Sequence, residues 1–242
     1  MADLTRIAQI MAEAVNGPGQ GALAERLCAA CVEALAVEAA AITLMADTGH
    51  RAGVWASDAR ARRLEERQFS LGEGPGVTAF RGRRPVTVID LLSADEVRWP
   101  VLVADLAAAA PPDGGLRSVY ASPLHLGSAG IGVLTLYRVR PGLPAPEEIA
   151  DIQVAATSVT LAIVGSFLGP SGEVPVQPWL DDPPLNGVEI DQAVGMIMVQ
   201  LRVPAAEALD RLRAHAFTHD RGVDAVAHGV VHRWLRFTEE DR

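Results

Sequence analysis

The sequence predicts an α+β domain, an antiparallel sheet with flanking helices, followed by a small all-α three-helix bundle. Three observations carry this reading. The first part of the chain mixes helical runs with short β-type runs, and its strand pairs are joined by turns, not by helical crossovers. Residues 169–187, GPSGEVPVQPWLDDPPLNG, hold five prolines and three glycines, a density that neither a helix nor a central strand tolerates. Beyond that stretch, apolar residues recur at helical spacing. The 242 residues therefore divide into a domain-sized unit at 1–168, a semi-extended linker at 169–187 and a helical unit at 188–242.

The elements follow in order. Residues 3–15 and 21–37 show helical periodicity, with NGPGQG as the break between them. AAAITLMAD (39–47) and RAGVWASD (51–58) read as a strand pair joined at Thr48-Gly49-His50. ARARRLEERQ (59–68) is a short charged helix. LGEGPGVTAF (71–80) has three glycines, but it lacks the Lys-Ser/Thr pair of a phosphate loop and the spacing of a dinucleotide fingerprint. It reads as a structural loop feeding a short helix. RRPVTVIDL (83–91) contains a strand, and WPVLVADLAAAA (99–110) a helix that PPDGG ends. LRSVYASPLHL (116–126) and GIGVLTLYRVR (130–140) form a hairpin around GSAG, and a long helix over about 146–168 closes the domain.

In the tail, one helix is expected from about Glu189 to Arg202, with Asn186-Gly187 as its start signal. A second starts at Pro204, which suits a first helical position, and reaches about His219. A third runs from Val223 to about Phe237, with a stripe of Val223, Val226, Ala227, Val230, Val231, Trp234 and Leu235. So small a core is marginal and calls for dimerisation or support from the first domain.

Composition narrows the function. The net charge is −9, so the overall field repels phosphate and any nucleic-acid contact must come from a local patch. All 21 cationic residues are arginine, each a planar fork suited to phosphate or base edges. Residues 188–242 hold seven arginines against nine carboxylates, so charge alone favours a solvated surface. Cys28 and Cys31 lie inside a helical run with no flanking strand and no second cysteine pair, and read as small buried hydrophobes. The apolar run 154–169 is interrupted by Thr and Ser and is short for a bilayer, and no signal peptide is visible. The expectation is a soluble, cytoplasmic protein. No Ser-His-Asp or Cys-His set assembles, Asp90, Asp105 and Asp113 fall near element ends, and no catalytic role or cofactor is expected.

His215/His219 and His228/His232 each share a helix face, as some zinc sites require, but the pairs lie on different helices and no carboxylate is forced beside them. Solvated faces explain them more simply. A metal or redox sensor built on these histidines or on Cys28/Cys31 stays open as an alternative, as does a protein-interaction module.

The order of residues says more than charge. IDQAVGMIMVQLRVPAAEALDRLRAHAFTHDRGVDAVAHGVV (190–231) resembles an ANTAR domain, the three-helix RNA-binding module of transcription antiterminators. The matching pieces are Ala193-x-Gly195 with MIM, then AAEAL with LRAHA, then VDAVAHGVV. LGEGPGVTAFRGRRPVTVIDL (71–91) with SVYASPLHLGSAGIGVLTLYR (118–138) resembles the GAF domains joined to ANTAR modules in high-GC bacteria. Together these resemblances imply a homodimer that senses a signal, in which the ANTAR units bind tandem stem-loops in nascent RNA. Arg213 is the first expected RNA contact, then Arg211, Arg221, Arg202 and Gln192, since arginine stacks on exposed loop bases and forks onto phosphate or guanine. Where the family commonly has lysine this chain has Val194, which removes a cation. Gly195 is expected to let another helix approach closely. A small-molecule pocket over the sheet is implied, with Trp55, Trp99, Tyr120 and His125 as candidate lining residues.

Overall fold

The computed structural model of the chain describes residues 4–17, 22–45, 51–109, 115–168, 186–219 and 221–238. The turn at Thr48–His50, Asp113 and the linker up to residue 185 lie outside the described residues. In chain order the elements are α1 (Leu4–Asn16), α2 (Leu23–Ala34), β1 (Ala39–Met45), β2 (Arg51–Ala56), α3 (Ala59–Leu71), α4 (Pro75–Gly82), β3 (Val86–Val88), α5 (Pro100–Ala108), β4 (Ser118–Leu126), β5 (Ala129–Arg138) and α6 (Pro146–Leu168), then α7 (Asn186–Leu201), α8 (Ala205–Thr218) and α9 (Val223–Val231).

The strands form one sheet in the order β2-β1-β5-β4-β3, every neighbouring pair antiparallel. β1 is buried along its whole length, so both faces of the sheet are covered. Ala40, Ile42 and Leu44 point to a core that α1, α2 and α6 close with Ile7, Met11, Leu27, Ile152 and Val159. The alternate residues Ala39 and Ala41 point to a second core that α3, α4 and α5 close with Leu64, Phe80 and Leu102. Residues 146–166 of α6 are long and apolar enough to cross a membrane, but Ile152, Ala155, Val159 and Ile163 are built into the first core.

Local chemistry sets the element ends. Asp58 caps α3 by accepting the Ala61 N–H at 2.8 Å, and Gly72 ends it in the left-handed region at φ 68°. The glycine loop that follows feeds the short helix α4, as expected. Gln68 Oε1 accepts the Gly76 N–H at 2.8 Å, and Glu73 Oε1 caps α5 by accepting the Leu102 N–H at 2.7 Å.

Between the sheet and α3 lies a buried polar network. Tyr137 donates to Glu65 Oε1 at 2.5 Å, Thr43 donates to Glu65 Oε2 at 2.9 Å, and Gln68 Nε2 donates to both Glu65 and Tyr137. Burial, reinforced by the Glu65 carboxylate, holds the Tyr137 phenol well above its usual pKa, so it stays a donor.

The helical unit departs from the sequence reading at its end. The third helix stops at Val231, not near Phe237. Arg233 turns left-handed at φ 62°, and the N–H groups of Trp234 and Leu235 both donate back to Gly229, at 2.8 and 3.0 Å. Trp234 thereby leaves the expected stripe and is 76% exposed. The turned-back chain buries Phe237, whose N–H donates to Gln200 Oε1 at 2.9 Å. α7 begins at Asn186, earlier than Glu189, and Pro204 caps α8 from one position before its first turn.

Candidate nucleic-acid interface

The arginine expected to lead RNA contact is covered. Arg213 is 8% exposed. Its guanidinium carbon lies 4.8 Å from the centre of the Phe69 ring, and that of Arg51 lies 4.2 Å from the same ring. Phe69 lies in the last turn of α3, a helix of the sheet domain, yet it joins the core formed by Ile190, Ala193, Leu209, Leu212 and Val226 of the helical unit. It is the plug that docks the two units. Gly72 completes the fit, because a Cβ there would sit 3.3 Å from Arg213 Nη1.

The electrostatics of this seam are unfavourable. Arg213 Nη1 meets Asp210 Oδ1 at 3.3 Å, but neither Arg213 Nε nor Arg51 Nη1 has a hydrogen-bond partner among the described residues. Burial, aided by the charges of Arg81 and Arg51, lowers the Arg213 guanidinium from its ordinary value to about 10, against a smaller opposing pull from Asp210. Burial likewise lowers Arg51. At about 1.4 kcal/mol per pKa unit, holding Arg213 charged in the seam costs on the order of 3 kcal/mol. Cation–π contact offsets only part of such a cost, about 1–2 kcal/mol per pair. Beside the seam is a cavity of about 300 Å³ lined by Ser70, Leu71 and Val101 from one unit and Asp210, Arg213, Ala214 and Phe217 from the other.

The remaining expected contacts lie outside the seam. Arg211 is half-buried and pairs with Glu207 at 3.3 Å. Arg202 is exposed and left-handed at φ 57°. Arg221 is exposed, with Nη2 3.4 Å from the Ala225 carbonyl. Gln192 is exposed and lines a shallow groove with Gly195, Met196 and Val199. Val194 is fully buried, so in this chain that position serves the bundle core, not a charged face. The close approach expected at Gly195 is not made within the described residues, since a Cβ there would meet nothing within 4 Å.

The four residues expected around a ligand do not converge. Trp55 and Tyr120 lie in the first core, Trp99 in the second, and His125 is exposed near the end of β4. Trp99 is also spent on Thr78, to whose Oγ1 it donates at 2.9 Å. A cavity of about 270 Å³ instead lies along α3 and α5, lined by Arg60, Arg63, Leu64, Arg67, Leu92, Asp105, Leu106 and Leu116 among others. Arg67 pairs with Asp105 across it and Arg60 with Asp58. Sequence reasoning missed this set and also Phe69. The arginine spacing on α3 was the available signal for the first; the second had none.

Cys28 and Cys31 are buried thiols. Burial pushes Cys31 up to about 12 and, with the neighbouring Cys31, pushes Cys28 well above its usual value. Neither is poised as a thiolate nucleophile or ligand.

The geometry thus defines a sheet domain docked to a small helical bundle. Comparison with known families agrees. The GAF domain family matches residues 20–164, and the ANTAR domain family matches residues 187–231. The chain belongs to the GAF family and carries an ANTAR domain. GAF domains are signal-sensing and ANTAR domains are RNA-binding antitermination modules; both are regulatory domains, although some GAF-fold neighbours are enzymes. No curated protein matches the chain. Among solved structures, a GAF domain of a phosphoenolpyruvate-protein phosphotransferase from Coxiella burnetii is 17% identical, covering 67% of this chain and 93% of that one, with a TM-score of 0.49. The reduced form of fRMsr from Staphylococcus aureus is 12% identical over 67% of this chain and 96% of that one, TM-score 0.47. A GAF sensor protein from Burkholderia vietnamiensis is 16% identical over 65% and 85%, TM-score 0.43.

Proposed function

We propose that this chain is a cytoplasmic, signal-responsive transcription antiterminator without catalytic activity. In a homodimer, two ANTAR units bind tandem stem-loops in nascent RNA, and the GAF domain decides when. Two modest sites presented together gain much through effective concentration, so geometry alone can switch binding. Arg213, Arg211, Arg221, Arg202 and Gln192 are the proposed contacts.

The observation that carries this reading is the burial of Arg213 against Phe69. A guanidinium held at a cost against an aromatic ring is ready to exchange that ring for an unstacked base, on which arginine stacks equally well in a wetter site. The docked arrangement is then the silent state. α3 and α5 each span the two halves of the switch. α3 carries Arg63 and Arg67 at the cavity and Phe69 at the seam, and α5 carries Asp105 at the cavity and Val101 at the seam. A small ligand bearing a carboxylate or phosphate would compete for Arg67, loosen its pair with Asp105 and shift α3 against α5.

The test is binding of the chain to a tandem stem-loop RNA at two salt concentrations. Arg213→Ala is expected to weaken binding by roughly 1–3 kcal/mol and, where the contact is to phosphate, to reduce the salt slope by about one unit. Salt-independent binding, or equal affinity in the variant, contradicts the reading.

A further inference from the structure

We infer that Glu189, His228 and His232 form a binding site for a divalent transition metal of the zinc class, which clamps the first turn of α7 to the end of α9. Each residue offers a ligand atom, and these atoms lie within 4.8 Å of one another. His228 Nδ1 is 3.1 Å from Glu189 Oε1 and 3.2 Å from Oε2. Zinc–nitrogen and zinc–oxygen bonds of about 2.0–2.2 Å at tetrahedral angles separate neighbouring ligand atoms by about 3.4 Å. That edge of the site is therefore already close to the required span, and one cation can replace the shared proton. The third ligand needs only a small inward movement of an exposed side chain.

The surroundings prepare that ligand. His232 Nδ1 is 2.9 Å from the His228 carbonyl oxygen. A histidine that donates one ring N–H to a carbonyl is fixed in the tautomer whose other nitrogen carries the lone pair, the usual outer support of a zinc-bound imidazole. The two imidazole centres lie 4.0 Å apart, His228 in the last turn of α9 and His232 at its C-cap. Trp234, displaced from the core by the turn at Arg233, stands 5.4 Å from His228 and 5.2 Å from His232 and packs against both rings. The fourth position is left for water.

The second histidine pair is a built-in control. His215 and His219 stack with centres 4.0 Å apart as well, while the metal-capable group found among the described residues is the one containing Glu189. The difference is Glu189, which comes from another helix close after the end of the linker. A metal here would tie the linker's entry point to the last helix of a bundle too small to be rigid unaided. This inference is independent of the RNA reading.

The full-length chain, stripped of metal, should be titrated with Zn²⁺ alone in competition with a chromophoric chelator. One equivalent per chain is expected to bind, and unfolding should shift upward by several degrees with excess zinc. His232→Ala, an exposed position that leaves packing intact, and Glu189→Gln should each weaken binding by roughly tenfold or more, the cost typical of disturbing such a site. The double variant His215→Ala/His219→Ala should bind as the parent does. Absence of stoichiometric binding by the parent, parental affinity in both site variants, or loss in the control pair alone each overturns the assignment.

Discussion

Two buried polar assemblies in this molecule are built on opposite principles. Under the sheet, Glu65 collects the hydroxyls of Tyr137 and Thr43 and the amide of Gln68, so four buried polar side chains share their hydrogen bonds. At the seam, Arg51 and Arg213 crowd one ring, and each keeps a buried N–H without a partner among the described residues. A satisfied network is costly to break and rigidifies its surroundings. A seam in which two cations each keep an unpaired N–H costs more to bury than a satisfied network, and part of that cost is relieved by opening to water. The first is architecture. The second is suited to a contact that must let go.

Substitutions sharpen this contrast. Glu65→Ala strands several buried groups at once and is expected to destabilise the GAF domain by about 3–5 kcal/mol in denaturant unfolding. A loss below about 1 kcal/mol would place the two assemblies on the same footing. Arg213→Met keeps the volume at the seam and removes the charge. It should leave stability unchanged or raise it by up to about 2 kcal/mol, while RNA affinity falls. Loss of stability comparable to Glu65→Ala would show Arg213 to be a structural residue. Asp58→Ala removes the cap of α3, whose far end carries Phe69, and should cost about 1 kcal/mol. The smallest effect concerns the cysteines, whose alkylation under native conditions should be slow compared with a model thiol, since both are buried and held protonated. Fast labelling would reopen a redox role.

Local signals in the sequence carry the architecture. The Pro- and Gly-dense stretch, the turn residues around the last hairpin and the helical spacing beyond residue 186 are all written in consecutive residues. The length of the last helix was not legible, because its stop depends on a left-handed Arg233 and on Gln200 of another helix receiving Phe237. The candidate contacts on α8 were legible as arginines, but their availability was not. That Arg213 is covered depends on Phe69, a residue of another domain with no distinguishing pattern in its own helix. The same holds for Glu189, whose distance from His228 along the chain hides their contact. The separation of the four expected pocket residues has a related cause. Alternation assigns Trp55 and Tyr120 to a sheet face, but not which helices fill that face.

The central claim is that docking on Phe69 withholds Arg213 from RNA. The most direct measurement is the affinity of Phe69→Ala against the parent for the same tandem stem-loop RNA at fixed salt. Phe69 belongs to the seam and not to either core of the sheet, so its removal should release the ANTAR unit and tighten binding, by roughly tenfold if about 1.4 kcal/mol of docking is lost. Unchanged or weaker binding in a folded Phe69→Ala protein would contradict it.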